Sequence, residues 1–121
     1  MNVLIVESRA DLGALWQRHL ERQGQTVTLV TDQDGAIGQL QNQRFDIIVM
    51  DLVLKEGSAF SVADYASYRH PDTRVIFVTN TSFFSDGSIF QVCPNACAFV
   101  PSATPPADLA AMVEHYAAAP T

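Results

Sequence analysis

Polar residues follow several short apolar runs of the sequence, at positions where a side chain could do chemistry. They are, in chain order, Glu7, Ser8, Asp51, Thr79 and Ser102. Two carboxylates such as Glu7 and Asp51, if held side by side, repel each other unless a cation or a proton lies between them. Proteins often keep such pairs at functional sites. The pair therefore indicates either a cation-dependent site or two loops that each begin with an acid, and the residue types alone leave both interpretations open.

The apolar runs themselves are typical of strands that are buried on both faces of a parallel sheet. Five strands are predicted, over residues 3–6, 26–30, 47–50, 74–78 and 96–100. Five helices are also predicted. Three of them span residues 9–23, 59–69 and 84–93, one begins after the capping residue Asp32, and the last begins at Pro105 and Pro106. This alternation predicts an α/β fold with a doubly wound five-stranded parallel sheet and five helices. In such folds ligands bind beyond the carboxyl ends of the strands, which is where the polar residues collect.

Composition narrows the classes of function. The chain has 121 residues, which suits one domain over 1–121, and 48% of them are hydrophobic, which excludes a disordered chain. Its net charge of −6 disfavours direct contact with nucleic acid. The apolar run 3–6 is too short for a membrane span or a signal peptide, so we expect a cytoplasmic protein without membrane contact. Cys93 and Cys97 are expected to be reduced thiols, because two cysteines make neither a disulfide framework nor a four-ligand zinc site.

The ordered set of motifs resembles the receiver domain of two-component response regulators over essentially the whole chain. The family's pattern is matched by Glu7 after the first strand, by the segment 45–54 around Asp51, by Thr79 after the fourth strand, and by the segment 95–100. The resemblance implies a flavodoxin-like receiver topology with strand order 2-1-3-4-5. It also implies a signalling domain rather than an enzyme.

The resemblance implies a role for each matching residue. Asp51 would accept a phosphoryl group from a histidine kinase or a phosphotransfer protein. Mg²⁺ would be held by Glu7, Asp51 and the backbone carbonyl of Val53, which suits an ion that prefers oxygen ligands and neutralises charge on phosphoryl oxygens. Thr79 would act as the switch hydroxyl that hydrogen-bonds the phosphoryl group, and Phe99 would be the switch aromatic.

Two positions depart from the family's pattern. Ser8 stands where the family has a second acid, so we expect weak Mg²⁺ binding; we also predict that Ser8 caps the first helix, with Asp11 completing a weak capping box. Ser102 stands where the family has a lysine. The only lysine of the chain, Lys55, follows Asp51 in the next loop and is either a solvated charge or a substitute cation. Because each lost contact to a developing charge costs orders of magnitude in rate, phosphorylation should be slow.

Two functions stay open at this point, and a third is disfavoured. The first is a phosphorylatable receiver that signals through the face made by its fourth helix, fifth strand and fifth helix. The second is a pseudo-receiver, the same fold used as a phosphorylation-independent interaction module. A flavin-binding electron carrier is disfavoured because the segment 7–11 after the first strand is not a Ser/Thr/Gly-rich phosphate loop.

Two adjacent aromatic residues fall on the segment that leads into the signalling face. Phe83 and Phe84 cannot readily both be buried on one face of a regular helix or strand. One interpretation is that one of them packs on the core and the other is a lone exposed aromatic, which is common. The alternative hypothesis is that the exposed one joins Phe99 in an apolar patch that binds a partner, or a second copy of the chain as a homodimer.

Overall fold

A computed structural model describes residues 1–79 and 94–118, with the side chains of the last two of these left aside. The strands are β1 (Asn2–Val6), β2 (Thr26–Val30), β3 (Ile47–Asp51), β4 (Arg74–Thr79) and β5 (Ala96–Pro101). The helices are α1 (Ala10–Arg22), α2 (Gln33–Asn42), α3 (Ala59–Arg69) and α4 (Pro106–Ala118). The helix predicted over 84–93 lies outside the described residues. The two strands predicted to stop short of Asp51 and Thr79 extend by one residue to include them.

All five strands form one parallel sheet in the order β2-β1-β3-β4-β5. The predicted fold class and strand order are therefore confirmed. The strand order reverses at β1, which has β2 on one side and β3 on the other. In a doubly wound sheet the crevice for ligands opens at this reversal, beyond the carboxyl ends of β1 and β3.

The sheet is covered on both faces, which explains why its strands are continuous apolar runs. Successive strand residues point to opposite faces, so both neighbours in a run must be apolar. Leu4, Phe45 and Phe77 pack with α2 and α3 in one core. Ile5 and Trp16 pack with α1 and α4 in the other. Polar side chains are left to the ends of the strands.

Helix starts show one correct capping prediction and one wrong one. Asp32 caps α2, and its Oδ1 accepts a hydrogen bond from the backbone N–H of Gly35 at 2.8 Å. Ser8 does not cap α1, because the N-cap residue is Arg9 and no side chain caps that end. The Ser8 hydroxyl instead donates to the backbone carbonyl of Thr31 at 2.9 Å. The hydroxyl thus binds a backbone carbonyl that is distant in sequence and accepts no hydrogen bond from the first turn of α1.

The loop after β3 is tied to the start of α2. The backbone N–H of Ser58 donates to the Gln33 side-chain oxygen at 2.8 Å, and Gly57 adopts a positive φ of 90° against that side chain. A Cβ at position 57 would collide with Gln33, so glycine is needed here for close approach as well as for its backbone angle. Within residues 1–79 and 94–118, no helix has the length and apolarity needed to cross a membrane.

Candidate functional site

The carboxyl edge of the sheet gathers the polar residues that the sequence singled out. Glu7 follows β1 directly, Asp51 ends the neighbouring β3, and Thr79 ends β4. In the sheet register Asp51 lies opposite Val78, which places Thr79 one step beyond it. The backbone N–H of Ser102 donates to the Thr79 carbonyl at 2.8 Å and brings the end of β5 to the same edge.

Glu7 is a fully buried acid at this edge. Its Oε1 accepts a hydrogen bond from the backbone N–H of Arg9 at 2.9 Å and lies 3.7 Å from the guanidinium Nε of the same residue. Its Oε2 is buried and receives no hydrogen bond within the described part of the chain. One carboxylate oxygen is therefore satisfied and the other is left without a donor.

Burial raises the pKa of Glu7 to about 7. The hydrogen bond from the Arg9 backbone opposes this rise in pKa, and the neighbouring Asp51 carboxyl adds to it by charge repulsion and by a carboxyl–carboxyl hydrogen bond. A hydrogen bond between two carboxyl groups requires that one of them holds a proton. When Glu7 and Asp51 are both ionised, Glu7 Oε2 therefore has no donor among the described residues. A proton or a cation would relieve the repulsion between the two carboxylates.

Asp51 is 9% exposed and is held by the loop that follows it. Its Oδ1 accepts a hydrogen bond from the backbone N–H of Val53 at 3.0 Å. The backbone N–H of Leu52 donates to the Val78 carbonyl at 2.8 Å and keeps this loop against β4. Val53 is 66% exposed, so the loop turns outward to solvent two residues after the carboxylate.

Ser8 joins three loops at the site. Its hydroxyl donates to the Thr31 carbonyl after β2 and accepts from the backbone N–H of Lys55 after β3, the second at 3.0 Å. Both hydrogen-bonding directions of the hydroxyl are thus used by backbone groups. Sequence reasoning missed this role because a serine just before a helix also suits a cap, and nothing local reveals a distant carbonyl.

The two cations near the edge differ in what they contact. The backbone of Lys55 is anchored by Ser8, but its side chain is exposed and makes no ion pair with any residue in 1–79 or 94–118. Arg9 is half-exposed and pairs with Glu7. Arg9 is not among the residues predicted from the sequence, although its position two residues after the strand-end acid is a usable signal.

The predicted aromatic residues are only partly described. Phe99 is partly buried, lies opposite Phe77 in the register of β4 and β5, and packs on the core that faces α2 and α3. Phe83 and Phe84 lie outside the described residues, as does Cys93. The other cysteine, Cys97, is a free thiol whose pKa is raised to about 11 by burial.

The ligands for a divalent cation at this edge are few. No group of three or more His, Cys, Asp or Glu side chains that could hold a metal occurs among the described residues. The neighbouring Glu7 and Asp51 nevertheless offer carboxylate oxygens, and the undonated Oε2 of buried Glu7 suits a cation. The residues present therefore fit Mg²⁺, with one charged ligand fewer than the family's pattern has.

Comparison with known proteins agrees with this fold. The family described as response regulator receiver domain matches residues 3–91. The chain belongs to this receiver family. The receiver protein CpdR of Brucella abortus is 27% identical over 77 residues, a match that spans 64% of this chain and only 64% of that relative.

Two solved structures resemble this receiver closely in shape. The non-phosphorylated HemR receiver domain of Leptospira biflexa has a TM-score of 0.87 at 21% identity, covering 99% of this chain and 96% of that one. The receiver domain of a Pseudomonas aeruginosa sensor histidine kinase has a TM-score of 0.82 at 21% identity and covers 98% of each chain. That second structure holds a magnesium ion in its active-site cleft. At this identity the likeness shows the fold alone.

Proposed function

We propose that this receiver accepts a phosphoryl group on Asp51 in a two-component phosphorelay. The observation that carries the proposal is the acid pair: a fully buried Glu7 with one undonated oxygen lies beside Asp51 at the carboxyl edge of the sheet. A buried acid pair costs folding free energy, and such pairs are concentrated at functional sites. Thr79 and the end of β5 complete the surroundings of the carboxylate.

The reaction is a transfer between two nucleophiles. An Oδ atom of Asp51 attacks phosphorus, the P–N bond to the donor histidine breaks, and the electron pair of that bond stays on the histidine nitrogen. The hydrogen bond from the Val53 N–H to Oδ1 orients the carboxylate for this attack. The Thr79 hydroxyl would donate a hydrogen bond to a phosphoryl oxygen once the group has arrived.

Mg²⁺ is proposed as the cation of this site, held by Glu7, Asp51 and the Val53 carbonyl. When bound, it neutralises negative charge that gathers on the phosphoryl oxygens. The affinity is proposed to be weak, because Ser8 replaces a carboxylate and its hydroxyl is already committed to Thr31 and Lys55. The magnesium in the related receiver domain supports the choice of ion.

Relative to the family's pattern, Ser8 removes one negative charge and Ser102 removes one positive charge. The net formal charge of the site is therefore unchanged. Charge balance alone therefore does not oppose phosphorylation. What differs is the placement of the contacts, because the site lacks one direct metal ligand at position 8 and the lysine at position 102. Slow transfer is the expected result, since each such contact contributes to the transition state.

A pseudo-receiver is the second candidate, and the Ser8 contacts favour it. The hydroxyl holds the loops after β1, β2 and β3 together without any cation. A loop arrangement fixed in this way has less need of a metal or a phosphoryl group to order it. In this alternative the same domain binds a partner constitutively.

The proposed partners follow from the family. A histidine kinase or a phosphotransfer protein would supply the phosphoryl group in the cytoplasm. The proposed output face comprises the segment 84–93, β5 and α4. We further propose that residues 1–121 act as one domain that makes no direct contact with nucleic acid.

Labelling with acetyl phosphate tests the proposed reaction. Intact mass spectrometry with Mg²⁺ present should show one added phosphoryl group on the parent protein and none on Asp51→Asn. Asp64→Asn is the matched control, because Asp64 is an exposed acid on α3 away from the strand ends. Label that persists in Asp51→Asn, or that is absent from the parent, would refute the assignment.

A further inference from the structure

We infer that the Arg9 guanidinium, in addition to Mg²⁺, contacts a phosphoryl oxygen on Asp51 and takes the place of the lysine that the family has at position 102. The inference rests on the proposed phosphorylation of Asp51 and adds a residue to it. Glu7 has one ion-pair partner within residues 1–79 and 94–118, and that partner is Arg9.

The position of Arg9 is fixed by its backbone. Its N–H donates to Glu7 Oε1 at 2.9 Å, so the residue is anchored to the buried acid beside Asp51 whatever its side chain does. Its backbone is extended, with φ −85° and ψ 100°, which sets it apart from the helix that begins at the next residue. The long side chain therefore starts at the mouth of the site.

The side chain is held loosely enough to move to a new anion. Arg9 Nε lies 3.7 Å from Glu7 Oε1, which is an ion-pair distance and longer than a hydrogen bond. The side chain is 50% exposed, so turning toward a phosphoryl group does not require it to leave a packed core. A guanidinium has five N–H donors in a planar fork and matches phosphate oxygens well.

Lys55 is the alternative to Arg9 for the contact with the phosphoryl group, and its contacts favour that role less than those of Arg9 do. The Lys55 backbone N–H donates to the Ser8 hydroxyl, which in turn donates to the Thr31 carbonyl. Lys55 lines a surface cleft with Asp32 and Glu56, and it forms no ion pair with any acid in residues 1–79 and 94–118. Arg9 pairs with an acid of the site itself.

Binding of beryllofluoride in saturating Mg²⁺ tests the inference, because this anion mimics a phosphoryl group on an aspartate. NMR titrations would compare the parent with Arg9→Ala, Arg9→Lys and Lys55→Ala. Arg18→Ala is the matched control, since Arg18 is an exposed arginine of α1 that makes no ion pair among the described residues. Arg9→Ala keeps the backbone N–H that binds Glu7, so it removes the side chain alone.

The expected result is a loss of affinity of about tenfold or more in Arg9→Ala, a smaller loss in Arg9→Lys, and parent-like binding in Lys55→Ala and Arg18→Ala. Unchanged affinity in Arg9→Ala, or an equal or greater loss in Lys55→Ala, overturns the inference while leaving phosphorylation of Asp51 intact. Arg9→Lys as weak as Arg9→Ala contradicts the charge contact. A parent protein that binds no beryllofluoride overturns the proposed function, and the role of Arg9 with it.

Discussion

Glu7 is the residue whose environment is hardest to reconcile with an ionised side chain. It is fully buried, its pKa is raised to about 7, and one of its oxygens finds no donor within the described residues. Arg9 offsets part of this cost by a backbone hydrogen bond and by charge. The acid is thus kept ready for a proton or a cation at neutral pH.

The raised pKa of Glu7 predicts how stability depends on pH without Mg²⁺. The folded protein holds this proton up to about pH 7, whereas an unfolded glutamate loses it near its ordinary value of 4.5. The stabilisation is complete below pH 4.5 and is lost as the pH rises to about 7, by roughly 3 kcal/mol at most. Glu7→Gln should remove this fall and be the more stable protein above pH 7, as measured by urea unfolding in EDTA.

An equal pH slope in Glu7→Gln and the parent would show that Glu7 does not titrate in this range. Repeating the measurement in Mg²⁺ provides the control. A bound cation stabilises the ionised pair, so the slope of the parent should flatten.

Ser8→Asp is predicted to tighten Mg²⁺ binding, because the cation gains a charged ligand. The same change removes the hydroxyl that donates to the Thr31 carbonyl, so it should also lower the free energy of unfolding by roughly 1 kcal/mol. Ser8→Ala is the matched variant, since it loses the hydrogen bonds and gains no charge. Isothermal titration that finds equal Mg²⁺ affinity for the parent and Ser8→Asp would count against the proposed ligand set.

At the scale of elements, the end of β5 determines whether the missing lysine can be restored. The Ser102 N–H donates to the Thr79 carbonyl at 2.8 Å, so position 102 lies at the carboxyl edge beside β4. A lysine placed there would start at the same edge as Asp51. Ser102→Lys should therefore raise the rate of labelling by acetyl phosphate by about tenfold or more.

Ser102→Ala is the control for that change, because it alters the side chain and adds no charge. Its labelling rate should equal that of the parent. If Ser102→Lys labels no faster than Ser102→Ala, then the end of β5 does not face the phosphoryl group as proposed.

The strands and helices were largely predictable, because a strand that is buried on both faces is a continuous run of apolar residues. A strand such as 47–50 must be apolar at every position, and the first polar residue after it marks the edge of the sheet. Asp32 was predictable as a cap because its acceptor reaches a backbone N–H three residues away. Ser8 was not, because its partners at Thr31 and Lys55 come from loops that only the folded sheet brings together. Arg9 was missed although its partner, Glu7, lies only two residues before it.

If the phosphate switch is weak, as proposed, the domain needs an output face that works without it. Phe99 lies partly buried on β5 and packs toward the α2 and α3 side of the sheet. Phe83 and Phe84 lie outside the described residues, and their place in a docking patch with Phe99 stays a prediction. Replacing both by Ser should weaken self-association or partner capture while the far-ultraviolet spectrum stays unchanged. Light scattering and pull-downs that match the parent would remove the patch from the account.

The most direct test of the central claim, that Asp51 is a working phosphoryl acceptor, is an NMR titration of the full chain with beryllofluoride and Mg²⁺. The account predicts shifts of the amide signals of Asp51, Thr79 and Phe99 in the parent protein. It predicts none in Asp51→Asn under the same conditions. A parent protein whose spectrum does not change at saturating concentrations would contradict the account and establish the domain as a pseudo-receiver.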